Sequence, residues 1–368
     1  METLDLIRNR YLLVPFLVVF LTFCLDKLLV LENVHTYFSK SLSDINYIQK
    51  NELYEDLKEY LKLKDRDKVI VYFGNSRALL FDNEYIHKKY PGWVMFNFSV
   101  PGGKPDYVLQ WMEQFAKDEV KPEFFLFDHS VEMFNSTATL KVDETLTNGL
   151  NVSFVLKHFS KFSTDEISTL IAKRMFRAYQ YRPKLEVIIT RAKNKDTLLY
   201  PYRSLRNNLM ANLKKGKGSA MTPGTHQAVL PPELLKKSAI GDFHSYLVPF
   251  RFSENILSFT DQSLQLAKQL NVPSAVIWVR LSLPYMDHIR HLKVSVAENK
   301  EGTVYEDWYP RIVEYHKQNG IPFWNMNDDP TYTCNEFSDA GHMSPSCYND
   351  YTDYIFKNLN QSLVMGAR

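Results

Sequence analysis

Residues 69–77 read Val-Ile-Val-Tyr-Phe-Gly-Asn-Ser-Arg, five apolar residues followed by a glycine and a short polar turn. A short apolar run of this kind is typical of a strand that is buried on both faces of a parallel sheet. A serine on the following turn exposes its hydroxyl at the carboxyl edge of the sheet, where ligands bind in open α/β folds. Because Gly-x-Ser after a strand also commonly caps a helix, this stretch alone predicts a strand and leaves the role of Ser76 open.

The rest of the chain repeats this pattern of short apolar runs separated by helical patterns. The further runs are Val94–Phe98, Phe124–Phe127, Ala275–Val279 and Phe323–Asn325. Ala78–Lys89 separates the first two runs as a predicted helix, and apolar residues at helical spacing occur in Pro105–Glu119 and Ser253–Leu270. Strand–helix alternation predicts an α/β fold, a three-layer α/β/α flavodoxin-like sandwich around a mostly parallel five-stranded sheet.

The chain opens with a long apolar segment. Tyr11 to Leu25 carries no charge, and the apolar run resumes from Leu28 to Leu31 after two charged residues. Together these stretches reach the roughly 20 residues that cross a bilayer. Arg8 and Arg10 precede the segment and favour a cytoplasmic N-terminus, with the remaining chain outside. No small-x-small cleavage site follows, so we expect an uncleaved, single-pass signal anchor; a buried core helix is the alternative.

We expect residues 1–32 to form the cytoplasmic tip and anchor, residues 33–66 a helical stalk, and residues 67–368 the main domain. The alternation breaks between about residues 135 and 250, an interval too long for one crossover. A largely helical insertion is therefore predicted there.

Part of this insertion is strongly basic. Residues 173–217 contain thirteen Lys and Arg residues against Glu186 and Asp196. This is either a solvated helical face or a surface for anionic lipid, acidic glycan or a phosphate-bearing polymer. The predicted location disfavours nucleic acid, and the overall net charge of +2 names no partner. With 45% hydrophobic and 23% charged residues, the composition excludes long disorder.

Two further segments carry groups suited to acyl chemistry. The second predicted strand runs into Asn97-Phe98-Ser99-Val100-Pro101-Gly102-Gly103, where a glycine N–H could face a ligand or simply form a turn. Near the C-terminus, Asp339 stands three residues before His342. At this spacing a carboxylate can reach an imidazole and hold the tautomer that accepts a serine proton, although Asp-x-x-His alone is common.

Taken in order, the three segments resemble the SGNH (GDSL-like) hydrolase superfamily from about Val69 to Leu359, apart from the insertion. The sequence Gly-Asn-Ser-Arg at 74–77 stands where that superfamily has Gly-Asp-Ser-Leu. The resemblance implies that Ser76 is a nucleophile, that His342 is its general base and that Asp339 orients the imidazole. It also implies an oxyanion hole that includes the backbone N–H groups of Ser76 and Gly102.

The third block of the superfamily, Gly-x-Asn-Asp, has no match in this chain. The third predicted strand instead ends in Asp128-His129-Ser130, so the asparagine amide of the oxyanion hole is missing. His129 or Ser130 could take its place. Asn75 and Arg77 are further candidates for substrate binding; Arg77 either binds an anionic group or pairs with a nearby carboxylate.

The N-terminal anchor makes the chain similar in architecture to a membrane-anchored branch that includes proteins resembling alginate O-acetylation factors and the D-alanyl transfer protein of teichoic acids. That resemblance implies a bacterial inner-membrane protein with a periplasmic catalytic domain and a partner membrane protein that donates the acyl group. No cofactor or metal is expected, because the His and Cys residues lack zinc-site spacing and no phosphate-binding loop occurs.

We therefore expect an O-acyltransferase or esterase acting on an envelope-associated substrate. The alternative is a catalytically degenerate scaffold or binding component, favoured by the missing third block and by Asn75 in place of the family's aspartate. Cys334 and Cys347 flank the Asp339–His342 segment and are either a disulfide or two thiols.

Overall fold

The computed structural model describes residues 10–138, 145–221 and 228–366. Arg8, on which part of the predicted membrane orientation depends, lies outside the described residues. The chain divides into two compact units: residues up to Ser41 together with Val155–Asn208, and Leu42–Phe154 together with the chain from Leu209 onward. The stretch predicted as a separate stalk is thus divided between the two units.

The larger unit contains the predicted parallel sheet. Its strands, in chain order, are β1 Lys68–Phe73, β2 Trp93–Asn97, β3 Phe124–Asp128, β4 Ser274–Trp278, β5 Lys293–Ala297, β6 Lys300–Thr303 and β7 Phe323–Asn325. Five of them form one sheet in the order β2-β1-β3-β4-β7, and every neighbouring pair is parallel. This is the flavodoxin-like order, so the predicted fold class is confirmed. Strands β5 and β6 form a separate antiparallel ribbon that the sequence did not predict.

The α-helices of the described residues follow in chain order. They are α1 Arg10–Lys27, α2 Glu32–His35, α3 Ser43–Leu61, α4 Asn83–Lys89, α5 Pro105–Lys117, α6 Val152–Lys157, α7 Thr164–Met175, α8 Arg177–Tyr181, α9 Leu185–Lys193, α10 Tyr200–Lys215, α11 Pro232–Leu247, α12 Glu254–Gln269, α13 Leu283–His291, α14 Val304–Asn319 and α15 Tyr348–Gly366. The helix predicted at Ala78–Lys89 begins only at Asn83, because a short 3-10 turn at Ser76–Ala78 precedes it.

Side chains of β1 alternate between two apolar layers. Tyr72 lies in the cluster that includes Tyr351 of α15, and the two hydroxyls are 2.6 Å apart. Phe73 points to the opposite face, where its ring contacts Phe115 of α5. Since successive strand residues face opposite sides, a continuous apolar run buries both faces of the sheet.

Helix α3 packs into the larger unit. Leu53, Tyr54 and Leu57 are buried, and the Tyr54 ring contacts Trp111 and Phe115 of α5. The predicted helix therefore has a core-facing side, and its apolar residues pack against α5.

The smaller unit contains α1. The window Leu13–Val30 is long and apolar enough to cross a membrane, and none of it is buried.

Candidate active site

Ser76 is placed by a turn that requires glycine at its first position. A Cβ atom on Gly74 would lie 2.8 Å from Cε1 of Tyr72 and 3.0 Å from Cβ of Asp128. Asn75 then caps the 3-10 turn, because its Oδ1 accepts the backbone N–H of Arg77 at 2.8 Å. The turn therefore positions Ser76 just beyond the carboxyl end of β1.

The three residues predicted as a catalytic triad lie together. Oγ of Ser76 is 2.7 Å from Nε2 of His342, and Nδ1 of His342 is 2.7 and 2.8 Å from the two carboxylate oxygens of Asp339. An ionised carboxylate only accepts hydrogen bonds, so Nδ1 carries the hydrogen and Nε2 is free to accept from the serine hydroxyl. The side chains of His342 and Asp339 are 23% and 31% exposed, so solvent reaches the site.

The loop that carries Asp339 and His342 is fixed at several points. Oδ1 of Asp339 also accepts the backbone N–H groups of Gly341 and His342, each at 2.9 Å. The N–H of Ala340 donates to Oγ of Ser238 at 3.0 Å, and its carbonyl accepts from the N–H of Ser282 at 3.1 Å. A carboxylate that accepts several N–H groups is held in orientation before any substrate binds.

Cys334 and Cys347 form a disulfide, with their Cα atoms 5.6 Å apart. The bond closes the chain segment that contains Asp339 and His342. Of the two alternatives left open by the sequence, the structure contains the paired one.

Arg77 is buried in an ion pair. Its guanidinium donates to both carboxylate oxygens of Glu132, at 2.6 and 2.9 Å, and its Nε donates to the carbonyl of Gly341 at 2.9 Å. The hydroxyl of Tyr285 donates to the same carboxylate at 2.7 Å. Burial by itself lowers the pKa of Arg77, but the Glu132 carboxylate outweighs this and holds it above its ordinary value. Arg77 thus pairs with a carboxylate, one of its two predicted roles, and links the serine turn to the triad loop.

Glu132 was not predicted from the sequence. It lies in the apolar segment Val131–Phe134, just after β3, where it is 2% exposed. Burial raises the pKa of a carboxyl group, yet the neighbouring Arg77 keeps the pKa of Glu132 below its ordinary value. A single acidic residue within an apolar run was the available signal, since such a residue needs a buried partner.

The segment predicted to supply the second oxyanion donor is supported from α3. The Tyr47 hydroxyl donates to the carbonyl of Pro101, and Nζ of Lys50 donates to the carbonyl of Asn97 at 2.7 Å. Gly102 has φ +69°, a conformation that favours glycine, and its carbonyl accepts the Thr145 hydroxyl at 2.7 Å. The donor role of the Gly102 N–H stays a prediction.

Asn75 and Ser130 join one buried hydrogen-bond chain. Nδ2 of Asn75 donates to Oγ of Ser130 at 3.0 Å, and this hydroxyl donates to Asp128 at 2.9 Å. Burial raises the pKa of Asp128 to about 7. The chain fixes the relative positions of the ends of β1 and β3.

His129 packs against α14. Its Nδ1 lies 3.2 Å from Nε2 of His316, and its ring contacts that of Phe134. Burial holds the pKa of His129 well below its ordinary value and lowers that of His316 to about 3, so both rings are neutral at pH 7.

Asp242 is a further acidic group near the triad that the sequence did not indicate. It follows Ser238 by one turn of α11, and Ser238 contacts the triad loop directly. Burial and the negative charge of Asp339 raise the pKa of Asp242 to about 6, while Arg77 and His342 act in the opposite direction. No group of three or more His, Cys, Asp or Glu side chains suited to a metal ion occurs in the part of the chain that the structure describes.

The fold and this site define an α/β sandwich protein with a Ser–His–Asp arrangement at the carboxyl edge of its sheet. The family model DUF1574, described as a protein of unknown function, matches residues 6–359. Because the match spans nearly the whole chain, the protein belongs to that family. A comparison with curated proteins found no match.

Proposed function

We propose that this protein carries out serine-dependent acyl-ester chemistry, as an O-acyltransferase or an esterase, with Ser76, His342 and Asp339 as its catalytic triad. The observation that carries the proposal is the 2.7 Å contact between Oγ of Ser76 and Nε2 of His342, with Asp339 on the opposite ring nitrogen. The order of the three motifs, which resembles the SGNH superfamily, supports the same chemistry.

In the proposed reaction, Oγ of Ser76 attacks the ester carbonyl while Nε2 of His342 takes the hydroxyl proton. The tetrahedral intermediate collapses, the bond to the leaving alcohol breaks, and the imidazolium returns the proton to that alcohol. An acceptor hydroxyl or water then attacks the acyl-serine with His342 again as base, which releases the new ester or the free acid. Asp339 stabilises the imidazolium in both steps.

The oxyanion of each intermediate requires N–H donors. We assign them to the backbone N–H groups of Ser76 and Gly102. The asparagine of the superfamily's third block is absent, and the amide of Asn75 already donates to Ser130. Two donors rather than three favour an activated ester as the acyl source, because each oxyanion donor is worth about 10²–10³-fold in rate.

The proposed acceptor is a hydroxyl group on an envelope polymer, supplied with acyl groups by a partner membrane protein. Helix α1 is proposed to span a bacterial inner membrane once, with the larger unit on the periplasmic side. Asp242 supports a neutral, hydroxyl-bearing acceptor, because its negative charge interacts with the charges of Asp339 and His342 and repels an anionic group.

A degenerate scaffold is the second candidate function. It is favoured by the absence of the third-block asparagine and by Asn75 in place of the family's aspartate. Against it stands the retention of all three triad side chains in hydrogen-bonding geometry, which a purely structural role does not require.

The test is turnover of p-nitrophenyl acetate by the full chain in detergent, with and without a soluble oligosaccharide acceptor. We expect Ser76→Ala and His342→Ala to lower the rate about 10³-fold or more, and Ser168→Ala, at an exposed position of α7, to leave it unchanged. Acetylated oligosaccharide as the main product indicates transfer, and acetate alone indicates hydrolysis. Equal rates for wild type and Ser76→Ala would refute the proposal.

A further inference from the structure

The end of α1 is joined to the helical segment of the smaller unit by hydrogen bonds. The Asp26 carboxylate accepts the backbone N–H groups of Arg177 and Ala178 at 2.7 and 2.6 Å, and the Lys27 ammonium donates to the carbonyl of Met175. Charged residues near the end of an apolar helix are expensive unless they are paired. Asp26 and Lys27 also form an ion pair with each other at 3.2 Å, so both charged groups have partners. The backbone contacts place the start of α8 beside the last turn of α1.

The segment joined to α1 in this way exposes large apolar side chains. Between residues 164 and 195, which we call the interfacial segment, the exposed large apolar residues are Ile171, Met175, Phe176, Tyr179, Leu185 and Ile189. Leu185 is 69% exposed and Phe176 is 49% exposed. Two of them, Met175 and Phe176, directly precede Arg177. Exposed apolar groups this close to an apolar helix indicate contact with something other than water.

The same region is rich in exposed cations. Arg182, Lys184, Lys193 and Lys195 are exposed, and the guanidinium of Arg182 lies 5.5 Å from the Tyr179 ring centroid. Other basic residues have structural roles; Arg191, for example, donates to the backbone carbonyls of Thr36 and Ser39 at 2.7 and 2.6 Å. The basic residues of this region therefore fall into two groups. Some form hydrogen bonds within the smaller unit, and others are exposed.

We propose that the interfacial segment lies on the membrane surface at the end of α1. Its apolar side chains enter the boundary between headgroups and acyl chains, and its exposed cations bind anionic phospholipid headgroups. Exposed aromatic and aliphatic residues interleaved with Lys and Arg are typical of helices that lie in this boundary. Continuity with α1 and charge complementarity both select an anionic bilayer. The inference requires that α1 span the membrane, and it does not depend on the triad.

The experiment measures the depth of nitroxide labels on the full chain in nanodiscs. Single cysteines replace Phe176 and Leu185 in a Cys24→Ser background under non-reducing conditions, which leave the disulfide intact. In the same background, Glu59→Cys is the aqueous reference and Val18→Cys, near the middle of α1, is the deep reference. Power saturation compares accessibility to oxygen with accessibility to a nickel chelate.

In nanodiscs containing phosphatidylglycerol, we expect the labels at 176 and 185 to favour oxygen over the chelate, at a depth between the two references. Two separate changes should shift both labels toward the aqueous ratio. One is the replacement of phosphatidylglycerol by phosphatidylcholine, and the other is the combined variant Arg182→Gln, Lys184→Gln, Lys193→Gln and Lys195→Gln.

Aqueous values at 176 and 185 together with a deep label at position 18 would overturn the proposal and leave this face for a protein partner. An aqueous label at position 18 would overturn its premise, the span itself. Equal depth in both lipids, with no effect of the four Gln substitutions, would overturn the role of anionic headgroups.

Discussion

The buried pair of Arg77 and Glu132 provides a quantitative test of how the site is held together. Their side chains are 9% and 3% exposed, and Glu132 accepts two hydrogen bonds from Arg77 and one from Tyr285. Glu132→Gln removes the negative charge and leaves the guanidinium buried without its counter-ion. Removing one partner of such a pair costs about 3–5 kcal/mol of unfolding free energy.

Removal of both charges has a different expected cost. Arg77→Met together with Glu132→Leu leaves no uncompensated charge, although the Gly341 carbonyl loses its donor and the Tyr285 hydroxyl loses its acceptor. We expect the double variant to be no less stable than Glu132→Gln alone. Its loss should also be well below the sum of the losses of Arg77→Met and Glu132→Leu measured singly, so these two substitutions are non-additive.

The assay is urea unfolding of the full chain in detergent, followed by tryptophan fluorescence. All five tryptophans, Trp93, Trp111, Trp278, Trp308 and Trp324, lie in the larger unit, so the signal reports on the unit that contains the site. A loss below about 1 kcal/mol for Glu132→Gln, or additive losses in the double variant, would refute the claim that this pair fastens the serine turn to the triad loop.

Three further predictions concern groups outside the triad. Burial lowers the pKa of Lys50 from 10.5 to about 7, so the unfolded chain binds more protons between these pH values and the stability of the fold rises with pH. This slope, at most about 1.4 kcal/mol per pH unit between pH 7 and 9 in urea unfolding, should be absent in Lys50→Met. Burial lowers the pKa of His316 from 6.5 to about 3, so the stability of the fold falls as the pH drops below 6.5. In acid titrations of the melting temperature, His316→Gln should make that fall shallower, and an unchanged fall would contradict a neutral, buried His316. Cys334→Ala together with Cys347→Ala should lower the free energy of unfolding by about 2–4 kcal/mol and speed hydrogen exchange of the Ser338–His342 amides relative to those of β1. Equal exchange in wild type and variant would show that the disulfide does not hold the loop.

The sheet was predictable because the residues that identify each strand lie within that strand. Each strand is a short apolar run, and the parallel arrangement follows from the helical patterns between successive runs. The β5–β6 ribbon was not predictable in the same way, since only Val294 and Val296 of β5 are buried and the Lys-Glu-Gly-Thr sequence of β6 contains no apolar residue.

The candidate site was predictable only where its residues are close together in the chain or follow a recognisable strand. Asp339 and His342 are three residues apart, so their contact is encoded locally, and the serine turn follows a recognisable strand. Glu132 and Asp242 reach the site through tertiary packing from the end of β3 and from α11. The apolar spacing of α11 indicates which face of the helix is apolar, but it does not indicate which polar residue faces the triad.

Arg77 illustrates the same limit for a residue that was singled out. An arginine beside a nucleophilic serine is equally compatible with substrate binding and with an internal ion pair. The choice depends on Glu132, which is 55 positions away in the chain.

The most direct test of the central claim is labelling of the folded full chain with a serine-reactive fluorophosphonate, with the modified residue located by mass spectrometry. An activated Ser76 predicts labelling at that residue in the wild type, which is lost in Ser76→Ala and in His342→Ala and retained in Ser168→Ala. Wild-type protein of demonstrated fold that does not react, or that reacts equally after His342→Ala, would contradict serine catalysis and favour the scaffold role.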